Sequence, residues 1–454
     1  MPTSTVNKIH ILTQAVKNTK TTLEIIRESI SNSTDAEARE INIELSWING
    51  DEWDIIIDDN GFGMLSTHLS AFFSAGVSLK NYNLGGGAGV SIGEKGLGSK
   101  TCFKARNIKI ETIFHANSEM LVAEMANPMA QLQAGNLPTY TENAYTPTAY
   151  PANATKTTQG VRMELSRVVI KSWNGVKCRQ QGGGYDLQKI HDRLMHYLRS
   201  SCATGTTRLR HSDKTHVARN IAGAARPAPL VTLTIIEGAN QVTSTETGSY
   251  NLPGNNNVPV NGDPHLTHPH ILENSKKFCM IIDGGNTTNI NRKPVNYDWT
   301  AIIAGEDAQN FMIGNEKSPG VGAKSLMGIH FCKDFIPLPD VDTKYSKHAL
   351  DPEYFYQYKV FLNSQSFELN ADRSMITNLE SDEVEWIKED FVRTAKPQLT
   401  TIHDAMAAML RKETADIKAA DRLADAQNNL ANYGHLSNLV ATNAGANLNY
   451  VKIP

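Results

Sequence analysis

Apolar residues recur every three to four positions from Ile9 through Ile11, Leu12, Val16, Leu23 and Ile26 to Ile30, and this spacing predicts a helix over 9–32. The period then changes to two. Ile41, Ile43 and Leu45 alternate with polar residues and predict a strand, Asn49-Gly50 marks a turn, and Trp53 to Ile57 reads as a second strand running into Asp58-Asp59-Asn60-Gly61. From Ser74 to Gly98 the chain is rich in Gly, Ser and Asn around Gly85-Gly86-Gly87-Ala88-Gly89, a composition that reads as a mobile lid. A helix is expected to start near Gly98, with strands over 108–113 and 161–165. The Pro/Thr/Asn/Ala-rich segment 127–159 between those strands reads as a long surface excursion.

Beyond residue 176 the pattern predicts a helix over 185–199, a basic loop, and strands over 230–236, 278–282, 328–331 and 358–362, with 237–276 as loop. The tail reads as helical. Ser381 caps a run carrying Val384, Ile387 and Phe391, Pro397 interrupts it, and Leu399, Ile402, Met406 and Leu410 resume the spacing. The expected organisation has three parts: 1–175 with a lid at about 74–99, 176–380, and a helical segment 381–454.

A chain of 454 residues is long enough for at least two cores. Its 47 acidic and 44 basic residues give a net charge of −3, so no global field draws it to nucleic acid or to a membrane. Such a contact needs a local patch, and one candidate exists. Arg199, Arg208, Arg210, Lys214, Arg219 and Arg226 face a single acid, Asp213, in that stretch, which could meet nucleic-acid phosphates or stay a solvated loop. The cysteines Cys102, Cys178, Cys202, Cys279 and Cys332 are far apart and read as reduced, buried thiols. Met-Pro-Thr-Ser-Thr lacks the regions of a signal peptide, and no apolar run approaches the roughly 20 residues that cross a bilayer, so a cytoplasmic protein without membrane contact is expected. His265, His268 and His270 crowd one loop without the spacing of a metal site.

Three short segments carry chemistry. Glu28 and Asn32 lie four apart on the first helix and share a face. A carboxylate there can take a proton from water, and an amide oxygen suits magnesium, which keeps most of its ligands as water and phosphate. Asp59 ends an apolar strand, where a carboxylate is costly unless paired, and an adenine amino group can donate to it while Gly61 and Gly63 let the backbone approach the base. Gly93-x-x-Gly96-x-Gly98-x-Lys100 can turn backbone N–H groups to phosphates at a helix start, with Lys100 adding a charge. It is not a P-loop, because Ser99 stands where the lysine should follow glycine, and its spacing is wrong for a dinucleotide fingerprint.

Glu28-x-x-x-Asn32-x-x-Asp35-Ala36, Asp59-x-Gly61-x-Gly63 and Gly93-x-x-Gly96-x-Gly98 together resemble the ATP-binding motifs of the GHKL superfamily: gyrase B and type II topoisomerases, the ninety-kilodalton heat-shock chaperone, histidine kinases, MutL proteins and MORC ATPases. The resemblance covers roughly residues 10–165 and implies a Bergerat-type α/β sandwich closed by a lid. The cofactors it implies are ATP and Mg2+. It implies Glu28 as base, Asn32 on magnesium, Asp59 on adenine, and Asp35, Gly61, Gly63, Met64, Gly93, Lys95, Gly96, Leu97, Gly98, Ser99 and Lys100 around the nucleotide. A family threonine near adenine is matched by Thr157 or Thr158, between which the sequence does not choose.

Phe73-Ser-Ala-Gly-Val-Ser-Leu-Lys80 ahead of the glycines looks most like MORC-type ATPases and type II topoisomerases. Phe367-Glu-Leu-Asn-Ala-Asp-Arg373 is similar to the segment by which the chaperone's middle domain presents an arginine to the γ-phosphate, and Lys333 is its rival. What precedes 176 is therefore expected to be the ATPase domain, followed by a transducer-like α/β domain and C-terminal helices. The resemblance implies a conformational ATPase that closes, forms a homodimer through the ATPase domain, and acts on DNA or a protein partner, with bacterial antiviral defence or a DNA transaction as its setting. A nucleotide-gated scaffold would not need Glu28. A histidine protein kinase would need a phosphoacceptor helix hairpin ahead of the ATP domain, where 27 residues precede Glu28 and His10 lacks the usual flanks.

Overall fold

The computed structural model describes residues 8–17, 22–74, 98–116, 118–173, 177–202, 229–246, 279–304, 328–333, 336–338, 343–350, 358–369 and 375–442. The first unit begins with α1 (Lys8–Lys17) and α2 (Glu24–Asp35). The single helix expected over 9–32 is thus two. The sequence between them, Asn18-Thr19-Lys20-Thr21-Thr22, is poor in helix formers, and Thr22 Oγ1 donates to the Val169 carbonyl. Then follow β1 (Glu40–Asn49) and β2 (Glu52–Asp59), joined by a turn in which Gly50 takes φ +50°, and α3 (Ser66–Phe73). The helix expected near Gly98 is a 3-10 turn, Gly98–Lys104. After it come β3 (Asn107–Ile113), β4 (Met120–Ala126), α4 (Pro128–Gln133), β5 (Thr141–Tyr145) and β6 (Gly160–Val169). Segment 127–159 is therefore not a bare excursion: it contributes a helix, an edge strand and, as shown below, two residues that brace the site.

Beyond lie α5 (Leu187–Ser201), β7 (Leu230–Glu237) and β8 (Asn240–Glu246), the last a strand inside the stretch 237–276 expected to be loop, formed because it pairs antiparallel with β7. They do not open a new domain. One sheet runs β5-β4-β3-β6-β2-β1-β7-β8, antiparallel except where β7 lies parallel to β1 in the register Ile41↔Val231, Ile43↔Leu233 and Leu45↔Ile235. The boundary expected at residue 175 is thus crossed by the sheet itself. The cause is the exposed edge that β1 would otherwise present: Val231, Leu233 and Ile235 continue the buried face of Ile41, Ile43 and Leu45. Leu12, Val16, Ile25, Ile26, Ile30, Phe103, Ile190, Leu194 and Leu198 cover that face in one apolar cluster with the strands, giving a helix layer on a sheet.

The second unit is a five-stranded sheet, β12-β11-β13-β10-β9, built from β9 (Cys279–Ile290), β10 (Lys293–Ala304), β11 (Gly328–Lys333), β12 (Ile336–Pro337) and β13 (Tyr358–Asn363). It is accompanied by α6 (Thr343–Ala349) and α7 (Asp382–Thr442). Ser381 begins α7 as expected, its Oγ accepting from Val384 N at 3.4 Å. Pro397, expected to interrupt, stands inside the continuous helix. Burial of Phe391, Ala395, Leu399 and Ile402 around it holds the helix together through the missing hydrogen bond. Past residue 409 the helix leaves the core, with Leu410, Ile417 and Leu423 all more than half exposed.

Candidate active site

α2 is the axis of the site. Every one of its residues except Asn32 is buried, so the helix lies inside the fold and opens to the exterior at that amide alone. Glu28, one turn earlier, is 8% exposed, and its carboxylate lies against Gly98 at the start of the 3-10 turn. A Cβ on Gly98 would stand 2.0 Å from Glu28 Oε2, so only glycine lets the loop backbone come this close. Arg27 Nη2 donates to Glu28 Oε1 at 3.3 Å. Burial alone would lower the Arg27 pKa, but Glu24 and Glu28 outweigh it and hold the guanidinium above its ordinary range.

Asp59 ends β2 in the middle of the sheet, opposite Ile41 on β1 and Val161 on β6. Its carboxylate is met from three sides. Ser33 Oγ on α2 donates at 2.7 Å to Oδ2, Gly61 N at 2.9 Å to Oδ1, and Val161 N at 3.4 Å to Oδ1. Burial still pushes the Asp59 pKa up, against the downward pull of these donors and of Lys156. The same helix therefore carries Glu28 against the glycine loop and Ser33 against Asp59. Five residues of α-helix separate Glu28 from Ser33, a rise of about 7.5 Å along the axis, so one helix positions the Glu28 carboxylate and, through Ser33, meets that of Asp59.

The loop after Asp59 is locked from behind. Asn60 Oδ1 accepts from Arg39 N and Glu40 N at 2.8 and 2.9 Å. A Cβ on Gly61 would come within 2.7 Å of the Ala36 carbonyl. Gly63 has φ +78° and presses on Ile113, whose carbonyl would lie 2.1 Å from any Cβ there. Met64 N donates to Thr112 Oγ1 at 2.7 Å, and that hydroxyl donates to Gly160 O at 3.0 Å. Beneath them Lys156, 4% exposed, reaches Asp58 Oδ1 and the Asp59 carbonyl, both at 2.6 Å. Glu111 fixes the chain carrying it by accepting from Thr155 N and Lys156 N at 2.9 and 3.0 Å.

Ser33, Thr112, Glu111 and Lys156 were not singled out by the motifs, since Ser33 meets Asp59 only when α2 packs on the sheet and the other three reach the site through sheet register or a distant loop. Ser33 alone left a trace, adjoining Asn32 on the helix. Thr157 and Thr158 are exposed ahead of β6, and Val161 is the residue whose N–H meets Asp59.

Lys100 is placed differently from a free phosphate ligand. Its side chain is fully buried, and Nζ donates to the Ala71 carbonyl at 3.1 Å, to the Phe72 carbonyl, and to Ser99 Oγ at 2.8 Å. It thus pins the 3-10 turn to the end of α3, and burial lowers its pKa to about 8. Asp35 is buried at the end of α2, and Met64 is half-buried. Gly93, Lys95, Gly96 and Leu97 lie outside the described residues, as do Arg373 and His265, His268 and His270. Of the basic stretch only Arg199 falls within them, on α5. Lys333 is buried at the end of β11 in the second sheet. Cys102, Cys178, Cys202 and Cys332 are buried and form no disulfide. Among the described residues no cluster of three His, Cys, Asp or Glu could hold a metal, and no helix is long and apolar enough to cross a membrane.

Magnesium fits what is present. Asn32 gives one neutral oxygen donor at the open side of an otherwise buried helix, one turn from a carboxylate, which matches an ion that takes few protein ligands. Residues 20–159 match the family model described as "Histidine kinase-, DNA gyrase B-, and HSP90-like ATPase". No curated protein matches the chain. The match spans Glu28, Asn32, Asp59 and Gly98, and this part of the chain is a GHKL-type ATPase domain, with the mixed α/β sheet that the resemblance implied.

Proposed function

We propose, from the premise that residues 20–159 form a GHKL-type ATPase domain, that the chain hydrolyses ATP and uses the cycle to change conformation. The observation that carries this is the double role of α2, which sets the Glu28 carboxylate against the backbone of Gly98 and Ser33 against Asp59. Adenine donates its amino group to Asp59, and the backbone of Gly61 and Gly63 flanks the base. Glu28 accepts a proton from the water that attacks the γ-phosphate. Asn32 would hold magnesium, which when bound would neutralise charge on the phosphates. Lys100 reaches phosphate only by exchanging the Ala71 and Phe72 carbonyls for it, and the new ligand would lift the cost of its buried charge.

Beyond this chemistry, the reading includes a lid at about 74–99, pairing of two ATPase domains, and a cation, Arg373 or Lys333, from the second unit. The output is work on a protein partner or on DNA, for which the Arg199–Arg226 stretch is the support, in a defence or DNA-transaction setting. The test is ATP turnover and oligomeric state, with and without DNA, for wild type and Glu28→Ala. The variant is expected to bind nucleotide, stall, and accumulate a closed dimer. Equal turnover in both proteins removes Glu28 from its role.

A further inference from the structure

Glu28 is the end of a buried chain of polar groups that begins on another helix. Tyr197 Oη on α5 donates to Glu24 Oε1 at 3.1 Å. The other oxygen, Glu24 Oε2, accepts from Arg27 Nε and also pairs with Arg27 Nη2, and Nη2 is the group that reaches Glu28 Oε1. Tyr197, Glu24, Arg27 and Glu28 are all 8% exposed or less. Burial and the neighbouring Glu24 push the Tyr197 phenol well above its ordinary range, so it is a donor at any working pH.

A guanidinium and a carboxylate prefer to pair side-on, with two parallel hydrogen bonds. Here they do not, because one carboxylate oxygen is taken by the phenol. Without that phenol, Glu24 is free to turn both oxygens to Arg27 and draw Nη2 away from Glu28. A buried carboxylate that loses its donor loses its position, and catalysis depends on position more steeply than binding does.

We propose that Tyr197, which lies outside the family match, is a positioning residue for the Glu28 carboxylate and acts through Glu24 and Arg27. The inference rests on the reading of Glu28 as the base. It makes α5, the helix that leads in sequence to the Arg/Lys-rich stretch, part of the ATPase machinery. Its test uses the full chain, with kcat for ATP and Kd for a non-hydrolysable ATP analogue measured on wild type, Tyr197→Phe, Glu24→Gln, their double variant and Glu28→Ala. Melting temperatures establish that each is folded.

Tyr197→Phe is expected to lower kcat about tenfold with Kd within about twofold, which is some 1.4 kcal/mol in the barrier. The double variant is expected to be no slower than the slower single one, since the phenol acts only through Glu24. If Tyr197→Phe does not fold, Glu24→Gln carries the same kcat-against-Kd comparison. Wild-type kcat in Tyr197→Phe, equal losses of kcat and affinity, or additive losses in the double variant overturn the proposal while leaving Glu28 as base. Turnover surviving in Glu28→Ala overturns both.

Discussion

Gly98→Ala separates the chemistry of this site from its stability. A Cβ at that position would lie 2.0 Å from Glu28 Oε2, 2.5 Å from its Cδ and 3.2 Å from its Cγ. Ordinary contact between such atoms is about 3.2 Å or more, so the carboxylate must retreat by about 1 Å. The backbone at Gly98 lies outside the left-handed region, so alanine itself is not strained there. The obstruction is the end of a flexible side chain, and moving it disturbs the 3.3 Å contact with Arg27, worth about 1 kcal/mol of stability. A displacement of about 1 Å at a general base costs about a hundredfold in rate, or some 2.7 kcal/mol in the barrier. Gly98→Ala is therefore expected to melt within a few degrees of wild type, to bind an ATP analogue within several-fold, and to turn over about a hundredfold more slowly. Phosphate release, calorimetry and thermal unfolding on the same preparation give the three numbers. Wild-type turnover in a folded variant would refute the placement of Glu28 against the glycine loop.

Gly160→Ala should behave in the opposite way, because φ is +121° there and a Cβ would fall 1.9 Å from the Asp59 carbonyl, a backbone atom that cannot step aside. A loss of at least about 3 kcal/mol in denaturant unfolding is expected, against about 1 kcal/mol for Gly135→Ala, which also has positive φ but open space around it. Asp59→Asn removes a carboxylate whose pKa burial raises, so its ionised form disfavours the fold at neutral pH. The melting temperature should hold within a few degrees, while affinity for an adenine nucleotide falls at least about tenfold; undiminished binding by calorimetry would take Asp59 out of the adenine site. Lys100, with its pKa lowered from 10.5 to about 8, binds its proton less tightly in the folded state than in the unfolded one. Stability should therefore rise as pH climbs from about 8 to 10.5, by about 3 kcal/mol from this group, and Lys100→Met should lose that increment; identical pH profiles would sink the placement of its ammonium.

Local pattern determined much of this protein. The alternation in Ile41 to Leu45, the strand over 53–57, the turn at Gly50, β11 and β13 of the second sheet and the cap at Ser381 were legible, because each is set by neighbours within a few residues; β10 and β12 were not read, and β9 runs past its expected end at 282 to Ile290. So was the candidacy of Glu28, Asn32 and Asp59, since the two helical residues share a face by spacing and the strand end is marked by a doubled acid before glycine. What tertiary structure alone decided lies at long range. β7 extends the first sheet because β1 offers a bare edge, a fact that no window along the chain contains. Ser33 meets Asp59 across 26 residues, Lys156 reaches Asp58 across 98, and Tyr197 finds Glu24 across 173. Lys100 turned from an expected open position to the carbonyls of α3, because a buried ammonium takes whatever acceptors packing brings to it. Periodicity records which side of an element is buried; only the packed sheet and helices specify which polar groups come to share that interior.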